Sequence, residues 1–252
     1  MEQPAVFGSF HIAAAALAIA AAVSGAVLLC RKQVSRKSVH KVLFTCGIVL
    51  LILELFKQLF LFYIVNGGAY DWWFFPFQLC SVPMYLCILL PLTRGQLRKT
   101  FLSFMAGFTF TGALAALIYP EDMLRSYAVL TAHGFIWHSI LLFISLTVVL
   151  TGVADLSARG SAHAAVLFVL LCVPAVCINI FAEPLMKNAG LPHTYAAMFY
   201  LNPFHYSPQP FVSSVQEYTS IPFGLLVYMC AVVLVSTCIS ILLSRLSKAV
   251  FR

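Results

Sequence analysis

The chain has 252 residues, of which 62% are hydrophobic and only 9% are charged, and its formal net charge at pH 7 is +7. A soluble domain carries roughly 25% charged residues, so this composition excludes an ordinary soluble fold and indicates a protein that lies in a bilayer. The basic residues occur in short clusters beside apolar runs, as membrane topology signals do, and we therefore expect no nucleic-acid partner.

Seven apolar runs follow one another along the chain. Each is long enough to cross a hydrocarbon core as a helix of about 20 residues. Because an open strand in lipid would leave backbone groups unpaired, we predict an all-α, seven-transmembrane-helix bundle that forms a single domain over residues 1–252. The predicted spans cover about residues 9–29, 42–65, 73–92, 100–119, 128–150, 164–182 and 221–243.

The distribution of lysine and arginine predicts the orientation of this multi-pass protein in the cell membrane. With the N-terminus outside and the C-terminus cytoplasmic, twelve bases lie on the inner side and two on the outer side, which agrees with the positive-inside rule. The outer bases are Arg125 and Lys187. The inner bases are Arg31, Lys32, Arg36, Lys37, Lys41, Arg94, Arg98, Lys99, Arg159, Arg245, Lys248 and Arg252.

One connection, residues 183–220, is much longer than the others and rich in proline and aromatic residues. Aromatic residues at headgroup level are the ordinary interfacial belt. A loop of this length is more often functional or disordered than a plain connector, and its apolar content argues against disorder. We therefore expect a lid that lies on the outer membrane surface.

Polar side chains from four predicted spans converge in the outer half of the bilayer. At about 1.5 Å per helical residue they lie roughly 8–16 Å below the outer boundary. Such residues usually face an internal cavity or a partner, and Glu54 and Lys57 are spaced to pair on one helix face. The group consists of Glu54, Lys57, Gln58, Gln78, Cys80, His133, His138 and Asn179.

A cysteine with a nearby histidine is the arrangement that nucleophilic catalysis uses. Cys80 with His133 or His138 supplies a thiol and a base, and Glu54 or Gln78 is placed to orient the imidazole. Lys57 or Asn179 is a candidate donor to an oxyanion. The alternative is that Glu54 and Lys57 form a purely structural pair.

We expect neither a metal nor a cofactor. His133 and His138 are five residues apart, which is poor spacing for one helix face, and no C-x-x-C or H-E-x-x-H motif occurs. The last predicted span has no lysine for a retinal Schiff base, and no nucleotide-binding motif is present.

Four stretches resemble the YwaF family of integral membrane proteins. They are LELFKQ at Leu53–Gln58, FPFQLCSVPMYLCILL at Phe75–Leu90, the run from Thr100 to Asp122 that ends in YPED, and AHGFIW at Ala132–Trp137. The similarity is greatest over about residues 45–145.

The animal relatives of that family are similar to cysteine-dependent acyltransferases that act on phospholipids through one cysteine and one histidine. Carried over by this resemblance, the cysteine is Cys80 and the histidine is His133. Gln78 stands where a histidine is frequent in the family, and Asn202–Pro210 departs from the family's Asn-Tyr pattern.

Three functional hypotheses result. The first is a lipid-modifying enzyme that acts on phospholipids or lysophospholipids through a Cys80 thioester, with His133 as base. In it, Glu54, Lys57, Gln58, Gln78, His138 and Asn179 line or orient the site, and 183–220 gates entry of the acyl chain. The second is a transporter or binding subunit for a small polar solute that uses Glu54, Lys57 and His133. The third is a non-catalytic membrane scaffold.

Overall fold

The computed structural model describes residues 3–187 and 190–250, and within these ranges it is helical and contains no strand. Six of its helices are long and apolar enough to cross a membrane, namely α1, α2, α4, α5, α6 and α8. The helices are α1 (Ser9–Arg31), α2 (Arg36–Phe60), α3 (Val82–Leu89), α4 (Gly95–Ile118), α5 (Ala128–Leu150), α6 (Ala158–Met186), α7 (Pro210–Tyr218) and α8 (Ile221–Val250).

Six of the seven predicted spans are confirmed as long apolar helices. Local chemistry sets several of their ends. The Ser35 hydroxyl accepts a hydrogen bond from the Ser38 amide at the start of α2, and Ser157 caps the start of α6 in the same way. A π-helical turn, Leu61–Val65, extends α2.

The predicted helix over 73–92 is wrong in its first half. Only a short 3₁₀ turn (Trp72–Phe74) forms before α3, and Cys80 lies in an irregular turn just ahead of that helix. Pro76 interrupts the run, and Pro83 occupies the first turn of α3, where its missing N–H costs nothing. With only the apolar stretch Val82–Leu92 helical, the count of seven transmembrane helices stays a prediction.

The core lies around α4 and α5. Helix α4 packs against α5, α6 and α8, while α5 also packs against α1 and α2. Five phenylalanine rings form a continuous stacked column with centroid separations between 4.9 and 6.1 Å. In order along the column these are Phe104, Phe108, Phe168, Phe199 and Phe77.

The long connection after α6 differs from the expected surface lid. Residues 196–202 are almost entirely inside the protein, and Phe199 stands within the aromatic column. The connection joins residues 66–81 and 119–127 at one end of the bundle, which we term the loop end. Asp71 contacts His193, and the Arg125 guanidinium lies over the Phe74 ring.

Helices α4 and α8 approach each other closely at Gly107. A Cβ atom on this glycine would lie 2.3 Å from the Ser240 hydroxyl oxygen and 2.9 Å from the Ser236 carbonyl oxygen. Small residues of this kind allow helix backbones to pack tightly in a membrane. A Cβ on Gly112, further along α4, would meet nothing within 4 Å.

We predict that Gly107→Ala lowers the free energy of unfolding by about 1–3 kcal/mol, because the α8 backbone must move away. Gly112→Ala, the matched control, should be neutral or slightly stabilising, since alanine is the better helix former. Thermal unfolding of both variants in detergent measures the difference. Equal stability of the two would contradict the close approach.

Candidate functional site

Cys80 and His133 are linked through Trp137 at the loop end. Trp137 donates its indole N–H to the Cys80 carbonyl oxygen at 3.2 Å. Its ring also stacks against the His133 imidazole, with 5.6 Å between centroids. His133 and Trp137 are four residues apart on α5 and therefore share one helix face. This tryptophan fixes the turn that carries the thiol relative to the imidazole.

The hydrogen bond of His133 determines which of its ring nitrogens is basic. Nε2 lies 3.2 Å from the Leu53 carbonyl oxygen on α2. A carbonyl oxygen only accepts, so Nε2 carries the proton in this contact. In the neutral ring Nδ1 then has the lone pair and is the nitrogen that can accept a proton.

The predicted pairing on α2 is present. One carboxylate oxygen of Glu54 accepts from the Lys57 ammonium at 2.9 Å and from the Gln58 amide at 2.7 Å. The Gln58 amide nitrogen also donates to the Phe74 carbonyl oxygen at 2.6 Å. The cluster therefore anchors the 3₁₀ turn that leads to Cys80. The second oxygen of Glu54 is buried and has no hydrogen-bond partner among the described residues.

Gln78 and Asn179 hold the backbone of 196–202. The Asn179 amide donates to the Met198 carbonyl oxygen at 3.1 Å and accepts from the Met198 N–H at 2.6 Å. Gln78 donates to the Ala197 carbonyl oxygen and accepts from the Phe199 N–H. Each amide uses one N–H donor and one acceptor lone pair in these bonds. Both side chains therefore position the segment beside the site.

The segment is strained where it passes the site. Phe199 and Tyr200 adopt φ values of 55° and 57°, a left-handed conformation that is unfavourable for bulky side chains. Tyr200 donates its hydroxyl hydrogen to the Asp122 carboxylate at 3.1 Å. Burial, together with the nearby Asp122 charge, raises the pKa of Tyr200 well above its ordinary value, so this hydroxyl keeps its proton.

Among the described residues, His138 makes no hydrogen bond to the other polar groups of the candidate site. Its Nδ1 donates to the Gly134 carbonyl oxygen of its own helix at 2.8 Å. In the described part of the chain, no group of three or more His, Cys, Asp and Glu side chains is arranged to hold a metal ion.

Sequence reasoning missed several residues that shape the site. In the sequence, Trp137 is only an aromatic residue one helical turn after His133, and nothing there indicates its contact with Cys80. Asp122 and Tyr200 lie in separate connections, and they come into contact only in the folded protein. Two further contacts hold the long connection after α6. Asp71 contacts His193 at 2.7 Å, and Glu183 contacts His205 at 2.9 Å.

We predict that Asn179→Leu loosens residues 196–202. Leucine leaves the Met198 N–H buried without a partner, at a cost of about 1–3 kcal/mol, and it removes one of the two hydrogen bonds of the Met198 carbonyl oxygen, which also accepts from the Leu201 N–H. Limited proteolysis should cut this segment faster in the variant, and thermal unfolding should begin earlier. Ile180→Leu, at a half-exposed neighbouring position, is the control. Unchanged proteolysis in Asn179→Leu would show that the clamp does not hold the segment.

Comparison with known proteins gives one family match. Comparison with curated proteins and with solved structures gives no significant match to this chain. The expectation of a membrane protein family is confirmed, while the similarity to YwaF proteins and to acyltransferases stays a prediction. The model of the TMEM164 family matches residues 6–243, nearly the whole chain, and the protein therefore belongs to the TMEM164 family of membrane proteins.

Proposed function

We propose that this multi-pass membrane protein is a lipid-modifying enzyme that transfers acyl groups through a Cys80 thioester, with His133 as the general base. The observation that carries the proposal is the Trp137 bridge, which contacts both the Cys80 carbonyl and the His133 ring. A thiol becomes an effective nucleophile only with a base or positive charge nearby. Lys57 and Glu54 are the charged neighbours that Cys80 and His133 have in common.

The proposal includes an orientation with the N-terminus outside and the C-terminus cytoplasmic, in the cell membrane. The charge distribution supports it, with twelve bases on one side and two on the other. Seven crossings result if 66–81 and the short α3 together make one of them. Irregular backbone at membrane depth is tolerated where protein surrounds it, and Val82, Met84 and Leu86 are buried. The site then faces the outer leaflet.

The first half of the reaction forms the thioester. The Cys80 thiol gives its proton to Nδ1 of His133, and the sulfur forms a bond to the ester carbonyl carbon of a phospholipid. When the carbon–oxygen ester bond breaks, His133 returns the proton to the leaving oxygen. The products are a lysophospholipid and an acyl group bound to Cys80 as a thioester.

The second half transfers the acyl group. The hydroxyl of a lysophospholipid, or water, attacks the thioester carbonyl carbon while His133 takes the hydroxyl proton. The carbon–sulfur bond breaks, and the proton passes to the Cys80 sulfur. Lys57 is the candidate donor to the oxyanion of both tetrahedral intermediates, because Glu54 pairs with its ammonium at 2.9 Å and its charge acts on Cys80.

A specific observation favours one alternative. The unpaired buried oxygen of Glu54 beside Lys57 is typical of a proton or solute site in a transporter. In that case uptake of a small polar solute would depend on Glu54 and tolerate Cys80→Ala.

We predict that purified protein incubated with phospholipid labelled in its acyl chain acquires a hydroxylamine-sensitive label on Cys80. Cys80→Ser should lose this label, and loss of the general base in His133→Gln should slow labelling by about 10²-fold or more. Cys177→Ser is the matched control, because this cysteine lies exposed on α6. Equal labelling and turnover in Cys80→Ser would remove the enzymatic proposal.

A double substitution on α2 distinguishes a structural role of the Glu54–Lys57 pair, as the scaffold hypothesis requires, from a catalytic one. Lys57→Met leaves the Glu54 carboxylate buried without its cation, at a cost of about 1–3 kcal/mol, since Lys57 is partly exposed. Glu54→Gln together with Lys57→Met removes both charges and should recover much of that stability. If the pair serves catalysis, the double variant regains its melting temperature but not Cys80 labelling. Recovery of both properties would mean that the pair is only structural.

A further inference from the structure

We propose that a groove between α1, α2 and α5 holds the acyl chain of the phospholipid whose ester group faces Cys80. This inference rests on the proposed function and names the subsite that would select the chain. The groove has a volume of about 280 Å³. Its walls include Ala21 and Ala22 from α1, Cys46 and Val49 from α2, and Ile140 and Phe143 from α5.

The groove is formed in part by α2 and α5, the two helices that also carry the His133–Leu53 contact. Val49 lies one helical turn from Leu53, whose carbonyl oxygen holds His133, and Ile140 lies two turns from His133 on the other wall. At about 1.5 Å per residue these offsets are about 6 and 10 Å along the bundle. The two helices that carry the His133–Leu53 contact thus continue as the two walls of the groove, and a chain extending from an ester near His133 would enter it.

The lining of the groove is mostly apolar, and its hydroxyl groups are those of Thr45 and Ser139. The Ser139 hydroxyl donates to the Ala18 carbonyl oxygen at 2.8 Å and so has its partner within the protein. Phe143 packs so closely on α1 that a Cβ on Gly25 would lie 3.2 Å from its ring. This contact closes one end, while the alanines of α1 leave the space open above it.

The dimensions favour a single hydrocarbon chain over a protein partner. An α-helix with its side chains is about 10–12 Å across, so a single turn of about 5.4 Å fills about 400 Å³, which is more than the volume of the groove. Helices α1 and α2 both pack on α5, which forms the floor of the groove between them. A flexible chain continuous with the reacting ester is the occupant that fits this shape.

The first test detects binding without requiring turnover. Purified protein in nanodiscs of saturated phosphatidylcholine receives a trace of phosphatidylcholine that carries a diazirine in mid-chain, and the photolysed protein is mapped by peptide mass spectrometry. We expect cross-links concentrated at 45–49 and 139–143, and we expect excess unlabelled long-chain phospholipid to remove them. Labelling spread evenly over all lipid-facing helices would overturn the proposal, since it would report only bulk lipid.

A matched pair of substitutions tests the contact directly. Ala21→Phe places a ring in the groove, whereas Ala20→Phe places the same ring at an adjacent exposed position that does not border it. We expect Ala21→Phe, but not Ala20→Phe, to reduce cross-links at 45–49 and to shift Cys80 labelling towards shorter acyl chains by about tenfold. Val49→Trp, which fills the groove from α2, should have the same effect.

The results of these experiments distinguish failure of the acyl-transfer proposal from failure of the groove proposal. If wild-type protein never labels Cys80 but cross-links stay confined to the groove, the acyl-transfer function fails and the lipid-binding site stands. If Cys80 is labelled but Ala21→Phe and Val49→Trp keep the chain-length profile and cross-links of Ala20→Phe, the function stands and the groove proposal is wrong.

Discussion

Irregular backbone inside a membrane protein must find hydrogen-bond partners within the protein, because lipid supplies none. In the part of the chain that the structure describes, 66–81 and 196–202 are two such segments, and the candidate site lies where they meet. Side-chain amides satisfy much of their backbone. Gln58 binds the first segment at Phe74, and Asn179 binds the second at Met198. Gln78 extends from the first segment to the second. The amides therefore hold both irregular connections in place beside the candidate site.

Helix α5 contacts both the turn that carries Cys80 and the α2 backbone, and so sets their relative positions. It lies in the centre of the bundle and carries His133 and Trp137 on one face. The Trp137 N–H holds the Cys80 turn, while His133 holds the α2 backbone at Leu53. A displacement of α5 would thus move the thiol, the imidazole and the Glu54 cluster together. Such coupling would preserve the geometry that the proposed reaction between thiol and ester requires.

The proposed site and the proposed groove form one amphiphilic surface. Charged and hydrogen-bonding groups, with Glu54 and Lys57 among them, lie towards the loop end, and the apolar crevice continues towards the middle of the bundle. A phospholipid has the same order of parts, with a polar headgroup, an ester and a hydrocarbon chain. This correspondence links the cysteine chemistry to a lipid substrate better than either feature does alone.

The sequence by itself determined the features that depend on local spacing and on apolar content. Six spans follow from hydrophobic length, and Glu54 bonds Lys57 and Gln58 because residues three and four apart share a helix face. Tertiary structure decided how far the third apolar run, which Pro76 interrupts, is irregular around Cys80, and that 196–202 enters the protein instead of lying on its surface. Apolar composition is the same for a buried turn and a spanning helix. Partners distant in sequence, such as Asn179 for Met198, supply hydrogen bonds that the local backbone of the turn does not provide.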